Sequence, residues 1–469
     1  MISAAIKRWC DGIVLALFVV VAGAAVLHHE PWADEAQSWL LARDEGWLHL
    51  MFSQLRYEGH PGLWYTILWI AIHWFHAGYG ALGWIGLACA VSGIAVLVFL
   101  APFPRPLRYL IAFSFYFLYQ YAVLARSYNL LPLFAFLGAQ FYRRAERAVL
   151  PFTAMLMLLA NVSIQGIVIA AGLAAGGPRK PFRSRANITA AAMGVATLLF
   201  IASVLWPPHG TYVLDDAATF TFGQHLAKSL ADIGLAFSNS IPASFAIAGL
   251  LYVWCARRGV RLILAIPLVG NSLIFGFLRG GYHHTGILVI GAVTALWAGW
   301  PAAVSAAEFK WYRLSVIALS LLFAYQCTWS WTAIRTDWYQ PYSGAGDTAE
   351  FLKASGAASQ GVEGYGYFEV AVQPYFDSNI FENLRQPGGG AFFHSSVEYQ
   401  RKAALSRSTV LKSTWVVVSS ADPDTLSADQ KLLEKAGYRL MHVSPGQVVF
   451  HIPSRGEPQT YLIFRRVRP

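Results

Sequence analysis

The residues best suited to chemistry are two neighbouring carboxylates, Asp34 and Glu35, which follow Pro31-Trp32 just after a long apolar run. A carboxylate held beside a reacting hydroxyl can act as a general base. The apolar residues that follow recur at roughly helical spacing, which predicts a helix lying in the membrane interface. The structural alternative is that Asp34 caps this helix and Glu35 is a solvated neighbour.

Other charged residues near the ends of apolar runs also have a structural alternative. Arg126 and Arg279 could simply extend from helix ends to the interface, as long cationic side chains do. The pair His283-His284 fits either an interfacial position or a metal ligand. Asp215-Asp216 could hold a metal or an acceptor, or lie solvated in a loop. The sequence therefore leaves dependence on a divalent metal open, and it predicts no other cofactor.

Membrane helices must position these residues, because the chain is far too apolar for a single soluble domain. Of its 469 residues 56% are hydrophobic and only 13% are charged, whereas soluble domains carry about 25% charged residues. Apolar segments occur near 10–28, 81–101, 108–125, 127–142, 148–161, 163–177, 187–206, 233–255, 260–278, 284–301 and 311–331. The prediction is a polytopic α-helical membrane protein with about eleven transmembrane helices.

The positions of the basic residues predict the orientation of these helices, because positively charged loops remain cytoplasmic. If the borderline segment 61–78 does not cross, 16 basic residues share the side of Lys7 and Arg8, and only 5 lie opposite. A crossing there would move every later basic loop outside. Segment 61–78 is therefore predicted to be a re-entrant or interfacial helix within the first outer loop, 29–80, and the N-terminus is predicted to be cytoplasmic.

This topology gathers polar residues at the outer face, which indicates a site at that membrane boundary. They are Asp34, Glu35, Glu58, His60, Arg126, Tyr128, Asn161, Gln165, Asp215, Asp216, His225, Arg279, His283 and His284.

The net charge of +10 does not indicate a nucleic-acid partner. Residues 1–331 hold 21 Lys and Arg against 12 Asp and Glu, whereas the remaining residues hold 14 against 13. The positive excess thus belongs to the transmembrane module, 1–331, where short basic loops set the orientation.

Residues 332–469 form a second, periplasmic domain, which is predicted to be a small α/β domain. β-branched and aromatic content predicts strands at 364–370, 414–420, 438–443, 446–452 and 460–467, with a hairpin turn at 444–446. Helices are predicted at 347–355 and 425–436. The domain contains no recognisable site motif, which favours a structural or acceptor-guiding role.

Three segments carry a resemblance to a known family: WADEAQSWLLAR (32–43), YEGHPGLWYTILW (57–69) and LARSYNLLPLF (124–134). Together they resemble the opening of the GT-C glycosyltransferases, closest to the branch with protein O-mannosyltransferases and lipid A aminoarabinose transferases. His60-Pro61 departs from the Pro-Pro usual in that family, and Arg126-Ser127-Tyr128 replaces an Asp found in some members. The motif matches cover roughly the first 135 residues.

The resemblance implies an integral membrane enzyme of the bacterial inner membrane that takes a sugar from a polyprenyl-phosphate donor at the periplasmic face. Asp34 matches the family's catalytic carboxylate and would activate an acceptor hydroxyl, with inversion at the anomeric carbon. Glu35 would orient Asp34's partner or bind the acceptor. Cations would stabilise the donor phosphate, and the candidates are His60, Arg126 and Arg279. Tyr128 and His283 complete the predicted substrate-binding set.

The acceptor class stays open between a glycan, a lipid and a protein hydroxyl, each compatible with biosynthesis of cell-envelope polysaccharide or lipopolysaccharide. The main alternative function is a transporter or flippase of lipid-linked sugars. Transporters usually show internal repeats and ionisable groups at mid-membrane, whereas here the polar residues gather at one boundary. A third interpretation, a membrane scaffold that acts through its tail, is disfavoured because the tail lacks a site motif.

Overall fold

The computed structural model describes residues 2–145, 147–177, 184–208, 211, 219–278, 280–385, 395–451 and 455–467. The helices are α1 (Ile2–His28), α2 (Ala33–Asp44), α3 (Trp47–His49), α4 (Leu63–Phe75), α5 (Leu82–Leu100), α6 (Arg105–Phe113), α7 (Leu131–Tyr142), α8 (Val149–Ala160), α9 (Ile164–Gly176), α10 (Arg185–Leu205), α11 (Phe222–Ala236), α12 (Ile241–Arg257), α13 (Arg261–Phe277), α14 (Thr285–Gly299), α15 (Phe309–Tyr339), α16 (Ala345–Ala354), α17 (Val397–Ala403) and α18 (Pro423–Lys435). The strands are β1 (Val362–Tyr365), β2 (Trp415–Ser420), β3 (Tyr438–Ser444), β4 (Gln447–His451), β5 (Arg455–Pro458) and β6 (Thr460–Arg466).

Four helical segments in the described part of the chain are long and apolar enough to cross a membrane. They are Arg8–His28, Tyr79–Leu100, Arg185–Leu205 and Phe309–Tyr339. A fifth is reached if α11 and α12, bent by 79° at a short break, count as one span. The chain is thus a helical protein with candidate membrane spans, as its composition predicts.

The prediction of about eleven spans is wrong on this length criterion. The apolar segments 127–142, 148–161 and 163–177 fold into helices of 12, 12 and 13 residues. A 13-residue helix rises only about 20 Å, whereas the hydrocarbon core is about 30 Å thick. Apolar composition alone did not show where turns interrupt these runs. Helix α4 also has 13 residues, a length that suits the interfacial helix expected at 61–78.

The connection between α6 and α7 is irregular, and it carries two of the predicted site residues. A π-helical turn occupies Tyr116–Gln120 and a 3₁₀ turn occupies Ser127–Leu130. This stretch packs closely on α5 at Gly86, where a Cβ would lie 3.0 Å from the Cα of Ala125. The close approach fixes the backbone from which Arg126 extends.

The tail forms a four-stranded sheet in the order β1-β2-β6-β3 and a separate pair, β4-β5. Strands β1 and β2 are parallel, and β6 is antiparallel to both β2 and β3. The α/β composition predicted for the tail is therefore present, with α16 and α18 close to their predicted ranges.

Two details of the predicted tail are wrong. The segment 364–370 leaves the sheet after Tyr365 and becomes a 3₁₀ turn at Phe368–Ala371. The turn at 444–446 does not close a hairpin, because β3 pairs with β6 whereas β4 pairs with β5. Gly446 packs there against the backbone of Ser343 and Gly344, a distant contact that local turn chemistry does not encode.

Candidate functional site

A cavity of about 990 Å³ lies between the helical module and the tail. Both parts of the chain contribute to its wall. The helical module supplies Asp34, Arg56, Glu58, His60, Arg126, Tyr128, His283 and His284, among others, and the tail supplies Gly366, Tyr367, Ser419, Ser420, Thr425, Asp429 and Glu457, among others. Five of the residues predicted from the sequence therefore line one space: Asp34, His60, Arg126, Tyr128 and His283.

Asp34 lies in the first turn of α2 with its carboxylate in the cavity. Its Oδ2 atom forms an ion pair with Nη1 of Arg126 at 2.9 Å, and its Oδ1 atom accepts a hydrogen bond from the hydroxyl of Tyr367 at 3.1 Å. The N-cap of α2 is Trp32. Asp34 is therefore not the cap of this helix, and its side chain is directed to partners 92 and 333 residues away along the chain.

Arg126 is the central cation of the described site. Its Nη1 atom also donates to Nε2 of His283 at 2.8 Å, and its guanidinium lies over the ring of Tyr128, 5.1 Å from the centroid. Burial alone would lower the pKa of Arg126, but Asp34, with smaller contributions from Tyr128, Glu58 and Tyr65, raises it. The guanidinium is therefore charged and held in the cavity wall by these partners, which answers the alternative that it merely extends to the interface.

The histidines of the cavity are neutral. Burial, assisted by the positive charge of Arg126, lowers the pKa of His60 to about 3. Burial likewise lowers the pKa of His283, assisted by His284 and Arg126. In this structure His60 is therefore uncharged and differs from the cation that the resemblance implies, because a second charge beside a buried guanidinium is costly.

His60 instead offers an uncharged hydrogen-bonding group to the cavity. The residue is 8% exposed, and its Nε2 atom lies 3.4 Å from the hydroxyl of Tyr128. Its Nδ1 atom has no hydrogen-bond partner among the described residues. A buried imidazole nitrogen without a partner is costly, and a bound ligand would relieve that cost.

Glu58 belongs to the site although the sequence placed it only among the outer-face polar residues. It lines the cavity and accepts a hydrogen bond from the hydroxyl of Tyr65 at 2.5 Å. Burial, with a smaller contribution from the charge of Asp34, raises the pKa of Glu58 to about 7. The cavity therefore holds two carboxyl groups, one in an ion pair with Arg126 and one hydrogen-bonded to a tyrosine hydroxyl. The sequence signal that could have identified Glu58 as a site residue was its position two residues before His60.

Glu35 is directed away from the cavity into a buried polar cluster. Its Oε1 atom accepts from the backbone N–H of Ala125 at 2.6 Å, and its Oε2 atom lies 2.9 Å from Nε2 of His29. The other ring nitrogen of His29 contacts Oδ2 of Asp337 at 2.9 Å. These contacts join α2, the irregular connection between α6 and α7 that carries Arg126, and the end of α15. Glu35, predicted as a catalytic residue, thus lies outside the lining of the cavity and contacts the segments that carry Asp34 and Arg126.

The charge on His29 gives this cluster a pH-dependent stability. Burial alone would lower the pKa of His29, but Glu35 and Asp337 raise it to about 10. Because the folded-state pKa exceeds the unfolded value near 6.5, the stabilisation is complete below about pH 6.5 and is lost as the pH approaches 10.

We therefore expect the melting temperature of the wild type to exceed that of His29→Asn most at pH 6.5, with the difference shrinking towards pH 10. The measurement is thermal unfolding in detergent across this range. His49→Asn is the control, because His49 has an exposed side chain and, among the described residues, forms its ion pair with the partly exposed Glu45. A difference between wild type and His29→Asn that stayed constant with pH would contradict a charged His29.

Several predicted residues fall outside the part of the chain that the structure describes. Arg279 and the pair Asp215-Asp216 are among them. Within the described residues, no group of three or more His, Cys, Asp or Glu side chains is arranged to hold a metal ion. The geometry of the described cavity therefore rests on Asp34, Arg126, Glu58, Tyr367 and the neutral histidines.

Comparison with protein-family models, with curated proteins and with solved structures finds no match to this chain.

Proposed function

We propose that this chain is an integral membrane glycosyltransferase of the GT-C type, which transfers a sugar from a polyprenyl-phosphate donor to an acceptor hydroxyl. The observation that carries the proposal is the Asp34–Arg126 ion pair at 2.9 Å inside the cavity. It places a carboxylate that can take a proton beside a cation that can bind a phosphate. These are the two functions that such a transfer requires.

Binding of the donor would separate this pair. The donor phosphate competes with Asp34 for the guanidinium of Arg126, since both are oxyanions that suit its fork of N–H donors. The Oδ1 atom of Asp34 stays anchored to the hydroxyl of Tyr367, so the carboxylate keeps its place while Oδ2 becomes available. In this way occupation of the donor subsite would generate the base.

The proposed step then follows from the positions of these groups. The acceptor hydroxyl gives its proton to Asp34 while its oxygen forms a bond to the anomeric carbon. The bond from that carbon to the phosphate oxygen breaks, and polyprenyl phosphate leaves with the electron pair. Because attack comes from the face opposite the phosphate, the configuration inverts. The charge that develops on the leaving oxygen is stabilised by Arg126.

Glu58 and the histidines would assist the leaving group without adding charge. A carboxyl with a pKa near 7 is partly protonated at neutral pH and can donate to a phosphate oxygen. His60, held neutral, can donate a hydrogen bond from one ring nitrogen. Uncharged donors of this kind strengthen binding of the phosphate without competing with Arg126 for Asp34.

The proposed location is the bacterial inner membrane, with a cytoplasmic N-terminus and a periplasmic tail and site. Candidate spanning helices support a membrane location. Lys7 and Arg8 at the start of the first candidate span favour a cytoplasmic N-terminus, and five spans, with α11 and α12 counted as one, would put the tail on the opposite side. Polyprenyl-phosphate donors present their sugars at that periplasmic face in the family that the first 135 residues resemble.

Native mass spectrometry tests the donor class. Purified wild-type protein in detergent should retain added undecaprenyl phosphate as a bound adduct, because Arg126 can contact the phosphate. Phosphate-free undecaprenol is the matched control, since it has the same chain and lacks the anion. Equal retention of the two lipids would show that the cavity does not select a phosphate, and it would overturn the proposed donor class.

A further inference from the structure

The two walls of the cavity differ in charge: the helical wall has cations beside the carboxyl groups of Asp34 and Glu58, whereas the described tail wall has carboxylates alone. The two Lys or Arg side chains in its described lining, Arg56 and Arg126, both belong to the helical module. The described tail wall carries two carboxylates, Asp429 and Glu457, and no cation. Its other polar side chains are uncharged, namely those of Tyr365, Tyr367, Ser395, Gln400, Ser419, Ser420 and Thr425.

Gly366 lies in the tail wall, which is the part of the cavity lining contributed by the tail. This residue has φ +123°, and a Cβ would clash with the carbonyl oxygen of Ser419. Its N–H donates to the carbonyl of Ala403 at 2.8 Å, and the N–H of Phe368 donates to Oγ of Ser419 at 3.0 Å. Strand β2 and the turn after β1 therefore hold Tyr367 at the position from which it contacts Asp34.

Asp34 lies at the boundary between the two walls. One carboxylate oxygen contacts Arg126 of the helical module, and the other accepts from Tyr367 of the tail. In an inverting transfer the acceptor oxygen must lie opposite the leaving phosphate. If the phosphate occupies the side of Arg126, the space opposite it is the one bounded by the tail.

We propose that the tail wall forms the acceptor subsite, and that the acceptor is a carbohydrate with hydroxyl or amino groups and no phosphate at the bound portion. This inference rests on the proposed function. The hydroxyl and amide groups of the wall match the donors and acceptors of a sugar. The two carboxylates attract an amine and repel a phosphate, which would find no described cation on this wall.

Burial raises the pKa of both carboxylates of the tail wall. Asp429 lies on α18, and burial raises its pKa to about 6, so it is ionised at neutral pH. Burial also raises the pKa of Glu457. The wall therefore carries more negative charge at pH 7.5 than at pH 5.5, where Asp429 is largely protonated.

The test is direct binding to purified full-length protein by microscale thermophoresis at low salt. The probes are a glucosamine tetramer, an N-acetylglucosamine tetramer and a glucosamine disaccharide bisphosphate, which are cationic, neutral and anionic respectively. With the donor subsite filled by undecaprenyl phosphate, we expect the first two to bind and the bisphosphate to bind at least tenfold more weakly.

The double variant Asp429→Asn with Glu457→Gln removes both wall charges. It should weaken binding of the glucosamine tetramer by about threefold to tenfold, the range expected for two partly exposed charge contacts, and change binding of the neutral tetramer less than twofold. The matched control is Asp424→Asn with Glu350→Gln, because both carboxylates are exposed and neither lines the cavity. This control should bind all probes as the wild type does.

Three outcomes would overturn the acceptor assignment. The bisphosphate binds more tightly than the two tetramers, the two double variants have equal effects on binding, or neither tetramer binds. The same samples are assayed for retention of undecaprenyl phosphate. Retention of that lipid together with any of these outcomes refutes only the acceptor assignment. Loss of lipid selectivity refutes the proposed function itself.

Discussion

Asp34→Asn is expected to lower the rate constant of sugar transfer by about 10³-fold, within the range measured for removal of a general base. The amide cannot take the proton of the acceptor hydroxyl, although its size is unchanged. The KM for the lipid donor should change little or fall, because Arg126 loses its competing carboxylate and becomes more available to the phosphate. The measurement is single-turnover transfer from a labelled donor by the variant in liposomes.

The control for this substitution is Asp44→Asn. Asp44 closes the same helix and pairs with Arg43, outside the lining of the cavity. This control should transfer sugar at the wild-type rate. Transfer by Asp34→Asn within threefold of the wild type would remove Asp34 from the role of base and would leave the ion pair with a purely structural role.

Arg126→Gln is expected to lower kcat/KM by about 10²- to 10³-fold, the range typical for loss of one preorganised group that stabilises developing charge. Two causes add here: the phosphate loses its cation, and Asp34 loses its ion-pair partner. Arg126→Lys should recover part of the loss, because an ammonium keeps the charge but not the planar fork that contacts Asp34 and His283 together. Steady-state kinetics with the lipid-linked sugar measure both variants.

Stability must be followed in parallel, because removing one partner of a buried ion pair destabilises the fold. Arg43→Gln is the matched control, since Arg43 pairs with Asp44 and donates to the carbonyl of Phe376 at a distance from the cavity. An Arg126→Gln protein that melts like the control and still transfers sugar at more than a third of the wild-type rate would contradict the phosphate-binding role.

Much of the helical half of the site could be predicted from sequence, because its signals are local. Asp34 follows an apolar run and begins a helix, and Arg126 interrupts an apolar region where a charge needs a partner. The sequence did not show that they pair. That contact depends on the irregular segment 114–130 and on the close packing at Gly86.

The tail's contribution could not be predicted in the same way. Tyr367 reaches Asp34 across 333 residues, and its position depends on Gly366, whose conformation is set by contact with a separate strand. The protonation states were equally inaccessible, since the low pKa of His60 and the raised pKa of Glu58 arise from burial. The span count failed for a related reason, because short apolar runs do not show where a helix ends.

The most direct test of the central claim is transfer by purified wild-type protein in liposomes. The donors are undecaprenyl-phosphate-linked pentoses and hexoses labelled in the sugar, and a bacterial envelope extract supplies acceptors. We predict that for one of these donors the label leaves the lipid, appears in product with inverted anomeric configuration and releases an equal amount of undecaprenyl phosphate. If instead the label stays on the lipid and only changes leaflet, the chain is a transporter and the glycosyltransferase assignment is wrong.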